Sequence, residues 1–122
     1  MNREILFRGK RKDNGEWVIA NSVFASEEFA KIGDYEVLRN TVGQWTGLCD
    51  IHDCPIFEDD IVVYAFADVP DAERGAVVFE DGEYKLKYFS GYMDDDLDGS
   101  MAKSQIVIGN IHDEPEMCEV EQ

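Results

Sequence analysis

The amino-acid sequence predicts a mainly β protein of short strands with at most one short helix. Three observations lead there. Apolar residues recur with period two rather than 3.6 over most of the chain, as in EYKLKYF at 83–89. Turn-forming pairs separate the apolar runs, above all Asn14-Gly15 and Asp81-Gly82. The runs are short and return about every ten residues, the spacing of a small barrel or rolled sheet.

Taken in order, EILFR at 4–8 and EWVIA at 16–20 flank KRKDNG. The turn chemistry of Asp13-Asn14-Gly15 makes residues 3–25 a hairpin that continues into a third stretch. SEEFAKI at 26–32 is the one helix candidate. Ser26 suits an N-cap, Glu27 and Glu28 the positive helix end, and Gly33 a stop, although a segment this short reads equally as a turn. YEVLR at 35–39 reads as a strand, and GQWTGLCD at 43–50 begins and ends in turn residues. IFEDDIVVY at 56–64 resumes strand character, and GAVVFE (75–80) and EYKLKYF (83–89) form a hairpin through Asp81-Gly82. QIVIGNI at 105–111 is the last strand, followed by an acidic tail at 113–122. Segments 65–74 and 90–104 read as mobile loops. Alternation places Trp17, Trp45, Phe57, Ile61, Val77, Phe79, Ile106 and Ile108 in the core.

With 122 residues the chain is one domain in size, and 44% apolar and 11% aromatic residues make it globular rather than disordered. The net charge of −16 opposes docking onto nucleic acid or anionic membrane. That charge is uneven. Residues 1–12 hold five basic side chains against Glu4 alone, while the remaining 110 residues hold 6 basic against 26 acidic ones. Two readings follow: a solvated basic hairpin on an acidic body, or a basic end of one subunit that meets the acidic face of another. The opening MNREILFRGKRK lacks the apolar core of a secretory signal, and stretches such as IVVYAFA are too short to span a bilayer. A cytoplasmic protein is expected, in which the odd set Cys49, Cys54 and Cys118 stays reduced.

Four blocks carry a family resemblance. The opening REILFRGKRKDNGEWV is similar to a start in which a basic, apolar strand leads to a turn and an aromatic. VGQWTGLCD is similar to the motif G-Q-[aromatic]-T-G-L-x-D, and IFEDDIV to I-[FY]-E-G-D-I-V. IVIGNIHDEPEM is similar to [IV]-G-N-I-[aromatic or H]-x-[DN]-P-E-L. With these blocks the chain resembles the YopX family, small proteins encoded largely by phages and prophages. The matching positions are Gly43, Gln44, Thr46, Gly47, Leu48, Asp50, Glu58, Asp60, Gly109, Asn110, Pro115 and Glu116. Two places depart from the pattern: Asp59 stands where Gly is usual, and Cys49 to Cys54 replaces a segment of Lys, Asn and Gly. The resemblance implies a single mainly β domain and a phage or prophage setting. It brings no agreed catalytic residues. IFEDDIVVY with GAVVFEDGEYKL also looks like the first hairpins of an SH3-like barrel, which implies a barrel over 55–112 behind an N-terminal β-meander at 1–54.

Several clusters invite chemistry. Cys49, His52 and Cys54, with His112 and Cys118, are zinc-ligand types, but their spacing is not that of a knuckle, and free thiols on a turn are the preferred reading. Asp94, Asp96 and Asp98 before Gly99 are spaced like the start of a calcium loop. Position twelve is Gln105, which supplies no bidentate carboxylate, so a solvated acidic loop is preferred. Of Glu58, Asp59 and Asp60, only Glu58 and Asp60 share a strand face, and Asp60 is expected to accept main-chain N–H groups in a turn. In the Gln44 block, Trp45 should pack, Thr46 bond locally and Gly47 supply a special backbone angle; a ligand-facing Gln44/Trp45 pair is the alternative. No P-loop, nucleophile elbow or dinucleotide fingerprint is present.

The expectation is a non-enzymatic phage or prophage accessory protein. It acts through protein–protein contacts, as a homo-oligomer or with a host protein, without a cofactor. The alternative is an acidic mimic of DNA that occupies a host nucleic-acid-binding protein.

Overall fold

The computed structural model describes residues 4–66 and 73–118. Twelve strands lie among them: β1 (Phe7–Lys10), β2 (Trp17–Ala20), β3 (Val23–Ala25), β4 (Ala30–Ile32), β5 (Tyr35–Val37), β6 (Gly43–Cys49), β7 (Pro55–Phe57), β8 (Asp60–Tyr64), β9 (Arg74–Glu80), β10 (Glu83–Tyr88), β11 (Asp95–Asp96) and β12 (Gln105–Asn110). The α-helix α1 (Gly99–Ala102) has four residues, and the longest strands have seven. The mainly β prediction therefore holds. The chain divides into two compact units, Met1–Gly47 and Leu48–Gln122, and β6 runs across the boundary.

The first unit begins with the expected hairpin. β1 and β2 pair antiparallel from Phe7↔Ala20 to Lys10↔Trp17. Gly15 takes φ 74° in the turn, where the Asn14 side chain accepts the Glu16 N–H at 2.9 Å. β1 also pairs with the start of β6, and the sheet order is β2-β1-β6-β7. This non-sequential pairing replaces the simple meander expected for 1–54. The meander that does form is smaller: β3, β4 and β5 make a separate three-stranded sheet in that order. Ala30, Ile32 and Val37 form the unit's buried core, with Phe7, Val18, Ala20 and Val42 packed against them.

The helix expected at 26–32 is absent. Ser26 does cap, its Oγ accepting the N–H groups of Glu28 (3.3 Å) and Phe29 (3.2 Å), but the cap closes the β3–β4 turn. Ala30 and Ile32 are both buried with exposed Lys31 between them, a strand alternation that the cap signal masked.

In the second unit, β9 and β10 join through Asp81-Gly82, as the turn pair dictates. Both residues have positive φ, 55° and 80°, which a two-residue turn of this hand requires. The five-stranded sheet has the order β11-β10-β9-β8-β12. It is open, and the SH3-like barrel expected over 55–112 does not close. Its edge β11 is only two residues long, and the chain then folds α1 onto the core instead of extending the sheet. Leu97 and Ala102 join Ile56, Val62, Val77 and Leu86 in that core. The segment 90–104, read as a mobile loop, thus supplies both β11 and α1. Of the segment 65–74, residues 67–72 lie outside the described residues, as do 119–122 of the acidic tail and residues 1–3 at the start.

The expected core is right in part. Phe57, Ile61 and Val77 are buried, and Trp17, Trp45 and Ile106 are half-buried. Phe79 and Ile108 are exposed, at 55% and 37%. Ile108 sits in a register shift: Val107 pairs with Val62 and Gly109 with Ile61, so Ile108 is the extra residue of a bulge and the alternation restarts after it. Phe79 lies near the β9–β10 turn, beyond the core, edge-on against its cross-strand partner Tyr84 at 5.0 Å. Leu86→Ala should lower stability by about 2–5 kcal/mol by opening a cavity, whereas Phe79→Ala should cost about 1 kcal/mol or less. Denaturant unfolding of both variants checks the register.

Candidate functional site

The family-motif residues of the second unit gather around turns. Asp50 follows β6, and its side chain is fully buried. Oδ1 accepts the N–H groups of His52 (2.8 Å) and Cys54 (2.9 Å), and Oδ2 accepts that of Val107 on β12 (2.9 Å). Main-chain bonds add to this: Asp50 N–H donates to the Cys54 carbonyl at 2.8 Å, and Ile51 N–H to the Gln105 carbonyl at 3.1 Å. One carboxylate thus both shapes the β6–β7 turn and fastens it to β12. Burial pushes the Asp50 carboxyl up, but the N–H donors of Val107, Cys54 and His52, with the His52 ring nearby, outweigh it and leave it below the usual carboxylate range.

The β7–β8 turn follows the same principle. Asp60 is buried, and its Oδ2 accepts the Phe57 N–H at 2.8 Å, the role expected of it. Asp59 has φ 71°, which explains the usual Gly at this place. Its N–H donates to the Val77 carbonyl (2.8 Å), and its carbonyl accepts from Ile111 (3.0 Å). The Asp59 carboxylate meets His112 Nε2 at 2.9 Å. Asn110 organises the next turn, its Oδ1 accepting His112 N–H (3.0 Å) and Asp113 N–H (2.9 Å). Glu114 folds back so that its Oε2 accepts the Asn110 N–H at 3.0 Å. A Cβ at Gly109 would stand 2.7 Å from that oxygen, so a side chain here would push the Glu114 carboxylate off the Asn110 N–H. The Asp59–His112 pair and the Glu114 reach-back were not read from the sequence. The signal for the first was present: the family's Gly is Asp here, with a His following the Gly109-Asn110 pair.

The remaining motif residues are spread more widely. Gly43 pairs with Arg8 and Gln44 with Phe7. Thr46 is buried and Trp45 half-buried, and Gly47 takes φ 85°, the special backbone angle expected of it. Leu48 packs against the second unit's core. Glu58 is half-buried, and Pro115 and Glu116 open an exposed 3-10 turn at Pro115–Cys118. Burial first, then the charge of Glu116, pushes the Cys118 thiol up.

The ion-binding candidates are not drawn together. Cys49 is half-buried at the end of β6, while His52 and Cys54 lie exposed in the turn clamped by Asp50. Asp96 pairs with Lys85 in the β10–β11 ladder, and Asp98 caps α1, accepting the Met101 N–H at 2.8 Å. Among the described residues no three His, Cys, Asp or Glu side chains assemble as a metal ion would require. Tyr88 donates its hydroxyl to Asp95 at 2.6 Å, and burial first, then that bond, pushes the phenol far above its ordinary value.

The first unit presents a different surface. The Arg8 guanidinium lies 4.6 Å and the Lys10 ammonium 5.8 Å from the Trp17 ring centre, and Arg11 lies 4.1 Å from that of Tyr35. Arg11 is also bidentate to Asp13, at 3.0 and 2.7 Å, and Lys12 meets Glu36 at 3.0 Å. The same unit exposes Ile19, Val23, Phe24, Phe29 and Leu38.

These features define a small β protein whose turns are held by carboxylates on main-chain N–H groups. The chain belongs to the YopX protein family, whose model matches residues 3–119. Among solved structures it is similar to protein EF1440 from Enterococcus faecalis, at 23% identity and a TM-score of 0.65, over 94% of this chain and 98% of that one. Comparison with curated proteins finds no match.

Two predictions follow from the turn cluster. Asp50 sits below its unfolded value of about 3.9, so its contribution is present above that pH and is lost as pH falls through the folded value. Asp50→Asn leaves an N–H donor facing an amide and should cost about 1–3 kcal/mol near neutrality. Denaturation at stepped pH should show the gap between the two proteins narrowing below about pH 4. Asp59→Gly relieves a left-handed backbone, worth roughly 1 kcal/mol, but removes the His112 contact. It should therefore be more stabilising in a His112→Ala background than in the wild type, a difference that a double-mutant cycle measures.

Proposed function

We propose that this YopX-family chain is a non-enzymatic accessory protein of a phage or prophage that acts through protein–protein contacts, as a homo-oligomer. The resemblance of the four motif blocks to a family encoded largely by phages and prophages supports the phage setting. The distribution of surface chemistry carries the contact reading. Seven large apolar residues (Ile5, Ile19, Val23, Phe24, Phe29, Tyr35 and Leu38) are exposed within the first unit. That unit also has seven basic and seven acidic residues, so the whole charge of −16 belongs to the second. The second unit exposes Tyr64, Phe66, Phe79, Tyr92, Met93 and Ile108 as well, so charge rather than apolar exposure distinguishes the two: a neutral surface favours protein association, whereas a strongly acidic one resists it.

The residues that could do chemistry support the same view. Asp50, Asp60 and Asn110 spend their oxygens on main-chain N–H groups, which makes them scaffold rather than reacting groups. The basic segment is also engaged within the chain, through Trp17, Asp13 and Glu36. Strand edges, more than charge, are therefore the means of association.

Sedimentation or light scattering at micromolar concentration tests this. The expected mass is a multiple of 13.9 kDa that persists at high salt. A 13.9 kDa monomer at both low and high salt would overturn self-association.

A further inference from the structure

We infer that the open edge of β3 is the self-association surface, where it pairs antiparallel with β3 of a second copy about a two-fold axis at Phe24. This rests on the association reading above and names its interface.

β3 is the outer strand of the three-stranded sheet, bonded on one side to β4. Gly33 N–H donates to the Ser22 carbonyl (3.1 Å), and Ser26 N–H to that of Phe29 (2.9 Å). Bonded residues alternate in an antiparallel ladder, so Ser22, Phe24 and Ser26 turn their main-chain groups toward β4. Val23 and Ala25 turn theirs outward, presenting two N–H and two C=O groups. All three residues of β3 are exposed, Phe24 at 55%. Natural edge strands are commonly guarded by charge, proline or a bulge, and Val23-Phe24-Ala25 has no charge and no proline.

The edge is self-complementary. Its outward groups are symmetric about Phe24, as a two-fold contact demands. Val23 then lies opposite the partner's Ala25, and Ala25 opposite the partner's Val23, which makes four main-chain hydrogen bonds. Phe24 meets the partner's Phe24 in the close, non-bonded position, with Cα atoms about 4.5 Å apart. The Phe29 ring, 5.4 Å from that of Phe24, extends each side of this contact. Charge selects the direction. In the antiparallel register Glu27 faces the partner's Asn21 and Ser26 the partner's Ser22, so no carboxylate opposes another. A parallel pairing sets Glu27 and Glu28 beside their own counterparts, which repel.

The test uses Ala25→Pro, which deletes an outward N–H and spares the ladder to β4, and Phe24→Lys, which puts like charges on the axis. Sedimentation equilibrium at micromolar concentration is run with far-UV circular dichroism. The wild type is expected at twice 13.9 kDa, at low salt and at about 0.5 M salt. Each variant should keep the wild-type spectrum and raise the dimer dissociation constant about 100-fold or more. If Ala25→Pro unfolds, Phe24→Lys decides. Folded variants that retain the wild-type mass would overturn the β3 interface while leaving self-association intact. A monomeric wild type would overturn both.

Discussion

Satisfaction of main-chain N–H groups by buried carboxylates is the constraint on which the second unit depends. Short strands leave many backbone donors at their ends, and a buried donor without a partner costs about 1–3 kcal/mol. Asp50 accepts three such donors from two distant stretches of chain, Asp60 takes a fourth, and Glu114 a fifth. Each acceptor lies in a turn beside a strand end, where no ladder can supply one. The charge need not be neutralised by a cation, because oriented N–H dipoles stabilise the ionised form directly.

The same arrangement explains the order of the sheet. β12 lies next to β8, and both ends of β12 are fixed by acidic turns. Near its start, Val107 donates to Asp50; at its end, Asn110 donates to Glu114 and Ile111 to the Asp59 carbonyl. The bulge at Ile108 lies between these two anchors. A bulge absorbs one residue of mismatch, so both turns keep their geometry although the strands differ in count between them. Glycine at 109 leaves room for the Glu114 carboxylate to fold back onto the Asn110 N–H.

Much of this was legible in the sequence because it is local. The Asn14-Gly15 and Asp81-Gly82 turns, the strands around them and the acceptor role of Asp60 each depend on a few neighbouring residues. What the sequence concealed depends on distant pairing. The Ser26 cap is local chemistry shared by helix starts and tight turns, and only burial of Ala30 and Ile32 decides between them. The pairing of β1 with β6 brings together segments more than thirty residues apart. The barrel expectation failed because hairpin signals fix neighbouring strands but not closure, which here is pre-empted by α1 folding onto the core. At the candidate site, spacing showed which residues share a motif, but not that Asp50 reaches Val107 or that Asp59 reaches His112.

Charge is divided unevenly between the two units. The second unit carries four basic and twenty acidic residues. Among the described residues, several of those acids are absorbed by backbone donors, by α1's N-cap or by side-chain partners such as His112, Lys87 and Lys103. Two copies approaching through such surfaces do electrostatic work against each other, screened only beyond about 8 Å at physiological salt. The first unit is neutral, and Arg8, Lys10, Arg11 and Lys12 are already stacked on Trp17 and Tyr35 or paired with Asp13 and Glu36. An approaching chain therefore meets little net charge there and several exposed aromatic rings. The proposed main-chain bonding along β3 would give direction to that encounter, which apolar area alone does not. On the proposed self-association, a mainly acidic protein stays dispersed through one unit and associates through the other.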